Sequence, residues 1–250
     1  VLIYVGSHNT SASQEDATLN SRGTWMPSDN SSSSSESAVG TFILYESDGG
    51  VSCRQATSEE AKRLSRRDSD QLIQISPVEE YSQASQETGL RIVLRATQQL
   101  ENFPQAKAAF LKAAAIWTDK IQTPITIVID VDFGPTNFGE RWGPQILGST
   151  SPQEVTSNAY GAVRAQLIAG ASDDQERAIF NSLPPGTIPT NIGSTTIMKA
   201  PTANARALGL LDPVADPDGR EKNLGRPPSI GFNNTVGFDF DPRNGIDANK

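Results

Sequence analysis

NFPQAKAAFLKAAAIWTDKIQTPITIVIDVDF, residues Asn102 to Phe133, is the stretch from which the rest of the chain is read. Phe103, Phe110 and Trp117 recur every seven residues, and Ala106, Ala113, Ala114 and Ile121 fill the same stripe. That spacing puts the aromatics on one face of a helix. Asn102 has cap chemistry, and Pro104 falls in the first turn, where a missing N–H costs little. Pro124 stops the helix. Ile125, Ile127, Ile129 and Val131 then alternate with Thr126, Val128 and Asp130, which predicts a strand whose second face is also partly apolar. By itself this helix–strand unit carries no chemistry.

The chain has 250 residues, enough for one large domain or two small ones with a real core. Only 36% of it is apolar, and Gly, Pro and Ser are plentiful, so many loops are expected. A net charge of −8 with no basic stripe argues against a nucleic-acid partner. No apolar run approaches the roughly 18–20 residues of a membrane span, so no membrane partner is expected. Val1 to Val5 are too few for a signal-peptide core, and the first residue is not Met. The chain therefore reads as a fragment or a processed product.

Scarce residues limit the chemistry further. Cys53 and His8 are the single cysteine and histidine. One cysteine forms no intrachain disulfide, and a zinc site takes three or four His, Cys or carboxylate ligands. A Ser–His–Asp or Cys–His mechanism would rest on His8, in a polar segment without a rigid shell. The G-x-S-x-G and phosphate-loop motifs are absent. Asp132-Phe133-Gly134 matches the kinase magnesium tripeptide, but its companion motifs are missing and the match is read as chance.

Composition divides the chain into three parts. Residues 1–40, with the run Ser31–Ser35, read as a disordered low-complexity segment. Residues 41–88 read as a small strand–helix segment and linker: TFILYES, a turn at Asp48-Gly49-Gly50, VSCR as a hairpin partner with Cys53 half-buried, and a capping box at Thr57–Glu60 opening a helix to Arg67. Residues 89–250 read as the main domain. Within it, Leu90–Ala96 and ILGST are strands, Phe133, Phe138 and Trp142 cover one end of a sheet, and Tyr160–Ile168 fits helix or strand. Ser172-Asp173-Asp174 caps a short helix ended by Pro184, and APTANARALGLL begins another at Pro201. Asp212 to Pro228 is a polar loop, and Asn233-Asn234 suits a turn between two apolar runs. The expected class is α+β, a twisted mixed β-sheet with packed helices behind the Ser-rich segment.

The order FLKAAAIW, TPITIVIDVDFG, PQILGSTSP and GFDFDPRNGIDANK resembles the segment just upstream of the zinc-binding helix in a family of secreted bacterial zinc metalloproteases of metzincin type. The likeness runs in order from Thr41 to Lys250 and is best at Leu90–Ser151 and Ile230–Asn249. It implies that Leu90–Ala96, Ile125–Val131 and Gln145–Thr150 are inner strands, with the Asn102–Lys120 helix across them. It also implies a peptide or protein substrate and zinc in the parent protein only, because the family's H-E-x-x-H ligands are not among these residues. The chain alone would then be inactive.

Two candidate sites follow. By the resemblance, Ser229–Val236 is the edge strand that pairs with extended substrate, through Ser229, Ile230, Gly231, Phe232 and Asn233. Asp239, Asp241, Asn244 and Asp247 bring oxygens close together, with Gly245 for a sharp bend, and form a candidate calcium site; Asp216, Asp218 and Glu221 are a weaker echo. The alternative function is a secreted non-catalytic module, adhesive or carbohydrate-binding. An open platform of Phe138, Trp142 and Tyr160 would favour it, and burial of these rings around the central helix would favour the protease scaffold.

Overall fold

The computed structural model describes residues 25–27, 40–47, 50–64, 72–76, 89–157 and 159–240. The Ser-rich expectation for 1–40 lies almost wholly outside them. In chain order come β1 (Trp25–Pro27), β2 (Phe42–Ser47), β3 (Gly50–Gln55), α1 (Ser58–Leu64), β4 (Ile73–Gln74) and β5 (Arg91–Ala96). Next are α2 (Pro104–Lys120), β6 (Thr126–Gly134), β7 (Thr136–Asn137), β8 (Glu140–Arg141), β9 (Ile146–Ser151) and β10 (Glu154–Ser157). The rest are α3 (Tyr160–Ala169), α4 (Asp174–Ser182), β11 (Ile188–Thr190), β12 (Gly193–Thr195), β13 (Met198–Pro201), α5 (Thr202–Ala207) and β14 (Ser229–Asn233). The protein is α+β. Its described residues form two compact units, one within 1–29 and 153–226, the other within 30–152 and 227–250.

The second unit is built on a seven-stranded mixed sheet in the order β3-β2-β9-β14-β6-β5-β4. β5, β6 and β14 run parallel, while β9 is antiparallel to both β14 and β2. Parallel neighbours need a crossover, and α2 supplies the one between β5 and β6. α2 lays Phe103, Ala106, Phe110 and Ala114 over Leu94, Ala96, Val131 and Phe133. Phe133 packs edge-on with Phe103 at 5.2 Å and Phe238 at 5.4 Å, and Phe232 lies 5.7 Å from Phe238. Each such pair contributes about 0.5–1.5 kcal/mol beyond area burial.

Several local expectations change in this packing. Gln98–Asn102 form a 3-10 turn, so Phe103 rather than Asn102 takes the N-cap position of α2, without a side-chain cap, and Pro104 opens the helix. Trp117 is 59% exposed, and the stripe that packs on the sheet runs through Ala106, Phe110 and Ala114 without it. The aromatic segment after β6 splits between the two faces. Phe133 lies under α2, while Trp142 packs with the hairpin cluster. The run Thr235–Phe240 is not a strand; its phenylalanines fold back onto Phe133 and Phe232.

Residues 41–64, expected as part of a separate segment, join the main sheet. β2 pairs with β3 and with β9, and α1 covers Ile43 and Ile146. The capping box forms as read: Glu60 N donates to Thr57 Oγ1 at 3.2 Å and Thr57 N donates to Glu60 Oε2 at 2.9 Å. The described helix ends at Leu64, and its expected continuation to Arg67 lies outside the described residues. Cys53 is exposed on β3 rather than half-buried.

The first unit holds the three-stranded antiparallel sheet β1-β10-β13 with α3, α4 and α5. Its core gathers Val155, Tyr160, Val163, Met198, Ala205 and Leu210. Tyr160–Ala169 is a helix, which settles the ambiguous stretch. Asp173 caps α4 by accepting from Glu176 N at 2.7 Å. In α5, Arg206 forks onto both oxygens of Glu221 at 2.8 Å, with both side chains at least nine-tenths buried.

Candidate functional site

The candidate substrate strand is an interior strand. β14 pairs in parallel with β6 from Ser229–Asp130 to Asn233–Gly134, and antiparallel with β9 from Ser229–Ser151 to Phe232–Gly148. Strand addition needs an open row of N–H and C=O groups, and β14 is hydrogen-bonded on both sides. This corrects the edge-strand expectation for Ser229, Ile230, Gly231, Phe232 and Asn233. The physical reason is that the N-terminal hairpin and β9 fill the sheet outward from β14. The Asn233 side chain is engaged as well. Its Nδ2 donates to Ile146 O at 2.8 Å, and its Oδ1 accepts from Thr235 N at 3.1 Å and Thr235 Oγ1 at 2.8 Å.

Close approach explains the glycines of this region. A Cβ on Gly231 would overlap Asn137 Oδ1 and meet the Trp142 ring at 3.2 Å. A Cβ on Gly148 would lie 2.7 Å from Phe232 Cδ1 and 2.8 Å from Gly231 O. β9 and β14 therefore need glycine there to carry the rings that pack across them.

Sequence reasoning missed the most elaborate polar node, which centres on Asp132 at the end of β6. Its Oδ1 accepts from Thr97 Oγ1 at 2.6 Å and Phe133 N at 3.0 Å. Its Oδ2 accepts from Gln99 Nε2 at 2.7 Å and Phe138 N at 2.6 Å. Gln99 is held in turn by Thr136, through Thr136 O at 2.9 Å and Thr136 Oγ1 at 3.0 Å. Asp132 has no solvent exposure, and burial pushes its carboxyl above its ordinary value against the four hydrogen bonds. A carboxylate has about four acceptor sites, and here the chain's own donors take up all of them. Asp132 thereby fixes the β7–β8 turn, where Phe138 (φ 50°) and Gly139 (φ 90°) both adopt left-handed backbone. The only advance signal was an Asp among hydrophobic strand residues.

Beside it, Arg95 Nε donates to Asp130 Oδ1 at 2.8 Å, a cross-strand pair in register between β5 and β6. This Asp–Arg contact is also structural, since each strand needs its charge matched inside the sheet.

Of the candidate calcium ligands, Asp239 is described and half-buried after β14, while Asp241, Asn244 and Asp247 lie outside the described residues. In the weaker acidic loop, arginines of the chain take the carboxylates. Arg220 NH1 donates to Asp212 Oδ2 at 2.6 Å, Arg220 N donates to Asp216 Oδ2 at 3.0 Å, and Glu221 holds Arg206. No group of three or more His, Cys, Asp or Glu among the described residues is placed to hold a metal. The described residues do not supply the His- or Cys-dominated set that a catalytic zinc takes: Cys53 is alone on β3, and His8 lies outside them. No helix among the described residues is long and apolar enough to cross a membrane. No family model, curated protein or solved structure matches the chain.

Proposed function

We propose that these residues are the scaffold of a secreted zinc-dependent endopeptidase of metzincin type, with the zinc ligands supplied from outside them. The observation that supports this reading is the strand order β9-β14-β6-β5. It combines three parallel strands, one antiparallel neighbour and a single long helix across one face. The resemblance implies β5, β6 and β9 as inner strands with α2 across them, and that part supports the reading. It also implies Ser229–Val236 as an antiparallel edge strand, whereas β14 is parallel to β6 and interior. Peptide substrate, secretion and zinc in the intact protein belong to the same proposal and rest on the resemblance.

The aromatic criterion adds no support for the scaffold, since Trp142 packs with Ile43 and Ile146 and Tyr160 with Val155 and Val163 rather than around α2. Phe138 and Tyr160 are each 5% exposed, and Trp142 is partly buried with its indole N–H on Gly134 O at 2.9 Å. A sugar-binding platform needs open ring faces, so these three rings do not favour the adhesive or carbohydrate-binding module.

The test uses the polypeptide of the intact gene, with zinc measured by elemental analysis and casein cleavage followed with and without chelator. About one zinc per chain and chelator-sensitive cleavage are expected. Absence of bound zinc, or of an H-E-x-x-H helix, would overturn the reading. The 250-residue chain itself is expected to leave casein intact with zinc added, because its sequence offers one histidine and one cysteine.

A further inference from the structure

β3 ends the seven-stranded sheet: among the described residues it pairs with β2 on one side and with no strand on the other. The hairpin ladder fixes which backbone groups point outward. Ala56 N donates to Thr41 O at 2.8 Å, so that opposed pair turns its backbone groups inward. In an antiparallel ladder such pairs alternate with pairs whose N–H and C=O groups point away. Counting back from Ala56, Arg54, Ser52 and Gly50 face β2, opposite Ile43, Tyr45 and Ser47. Val51, Cys53 and Gln55 therefore turn their backbone groups to the outer edge, where Gln55 O also accepts from the Arg54 guanidinium at 3.3 Å.

Sheet edges are ordinarily blunted by proline, a bulge, charges or a covering element. The register of β3 with β2 runs unbroken from Gln55 to Gly50, and GVSCRQ contains no proline. Its one charge, Arg54, is forked onto Glu60 of α1 at 2.7 Å. The hairpin face that carries Ile43 is sealed by α1. On the other face stand Phe42, Leu44, Val51 and Cys53, and no residue of β2 or β3 belongs to the cluster under α2. Phe42 is 46% exposed, Val51 is 68% exposed and Cys53 is exposed beside them.

We propose that β3 is a self-association edge, at which two copies of this chain pair antiparallel about a two-fold axis at Cys53. The strand is its own complement in that arrangement. Cys53 exchanges both hydrogen bonds with Cys53 of the second copy, and Val51 stands opposite Gln55 on either side. Ser52 stands opposite Arg54, so no like charges meet across the seam. The Leu44–Cys53 row of each copy continues into that of the other, which brings Phe42 and Val51 of both copies onto one apolar face. Six residues of pairing make a small interface, so the dimer belongs to the weak, concentration-dependent class. The association needs neither zinc nor cleavage and stands or falls separately from the peptidase reading.

Sedimentation equilibrium of the 250-residue chain in reductant tests it, with Cys53→Ser, Cys53→Pro and Val51→Lys alongside. The Cys53 N–H points away from β2, so proline there spares the hairpin ladder and removes the central donor of the seam. The unsubstituted chain and Cys53→Ser are expected to share one monomer–dimer equilibrium. Cys53→Pro should weaken it about tenfold or more, for two hydrogen bonds lost per dimer. Val51→Lys, at an exposed side chain that the fold does not need, should weaken it as well and decides the matter if the proline variant does not fold. Register is read by cross-linking in a Cys53→Ser background, with oxidised glutathione accepting the two electrons and two protons that a pair of thiols loses. Val51→Cys mixed with Gln55→Cys should link faster than Val51→Cys alone, because opposed pairs lie about 5.5 Å apart, within disulfide reach. A chain that stays monomeric at every concentration overturns the proposal. So does a dimer that Val51→Lys leaves unchanged, or a Val51→Cys chain that links as fast alone as in the mixture, because the copies would then meet elsewhere or in another register.

Discussion

Asp132 and Glu60 use the same chemical group in opposite environments. Asp132 is sealed in β6 and gathers four donors, so truncation takes the acceptor from Thr97 Oγ1, from one of the two Gln99 Nε2 bonds and from two backbone N–H groups. Asp132→Ala is expected to cost about 3–5 kcal/mol and Asp132→Asn about 1–3 kcal/mol, read from urea midpoints at unchanged slope. Glu60 is 22% exposed, and the Arg54 guanidinium, with help from Thr57, lowers its carboxyl from 4.5 to about 2. A depressed folded value means that its stabilisation is present above the ordinary value and lost as pH falls from 4.5 toward 2. The raised Asp132 carboxyl has the opposite sign: its contribution is fullest below the ordinary value and fades as pH rises through the folded one. Glu60→Gln should therefore flatten the acid limb of a urea-midpoint-against-pH curve and cost about 1 kcal/mol at neutral pH, with little effect at pH 2.

At the scale of elements, α2 has an apolar side that the sheet uses and an apolar side that it does not. Phe110 stacks toward Phe232 at 6.0 Å, whereas Ile116 and Trp117 are 53% and 59% exposed. Phe110→Ala is expected to destabilise by about 3 kcal/mol. Trp117→Lys should change stability by no more than about 0.5 kcal/mol, measured in the same denaturant series. Equal costs at the two positions would show that Trp117 is covered in solution. Local chemistry at helix ends was legible in advance: Thr57 with Glu60, Asp173 with Glu176, and Pro104 at the start of α2 each do what their residue types predict. Asn102 did not, because the preceding residues wound into a 3-10 turn and moved the cap one place along.

For the whole molecule, the seven-stranded order makes β3 and β4 the outer strands and puts β14 inside. Ser229–Asn233 are therefore interior in this arrangement, paired on both sides. The chain returns to the same sheet after leaving it at β9, so Ser229 is a neighbour of Ser151 across seventy-eight positions of sequence. The excursion between them folds as its own unit around Val155, Tyr160 and Met198.

The sequence by itself determined the elements: the helix–strand unit at Asn102–Phe133, the hairpin, its capping box and the α+β class. Periodicity, caps and turn residues act over a few positions, and the chain carries that information locally. Tertiary structure alone decided which strand is an edge, which apolar face of α2 is covered, and that Asp132 serves a strained turn. Those outcomes depend on partners far away in sequence. A strand pattern reports that a segment is flat and half-apolar, but the row of hydrogen bonds on either side of β14 is set by where β9 and β6 lie.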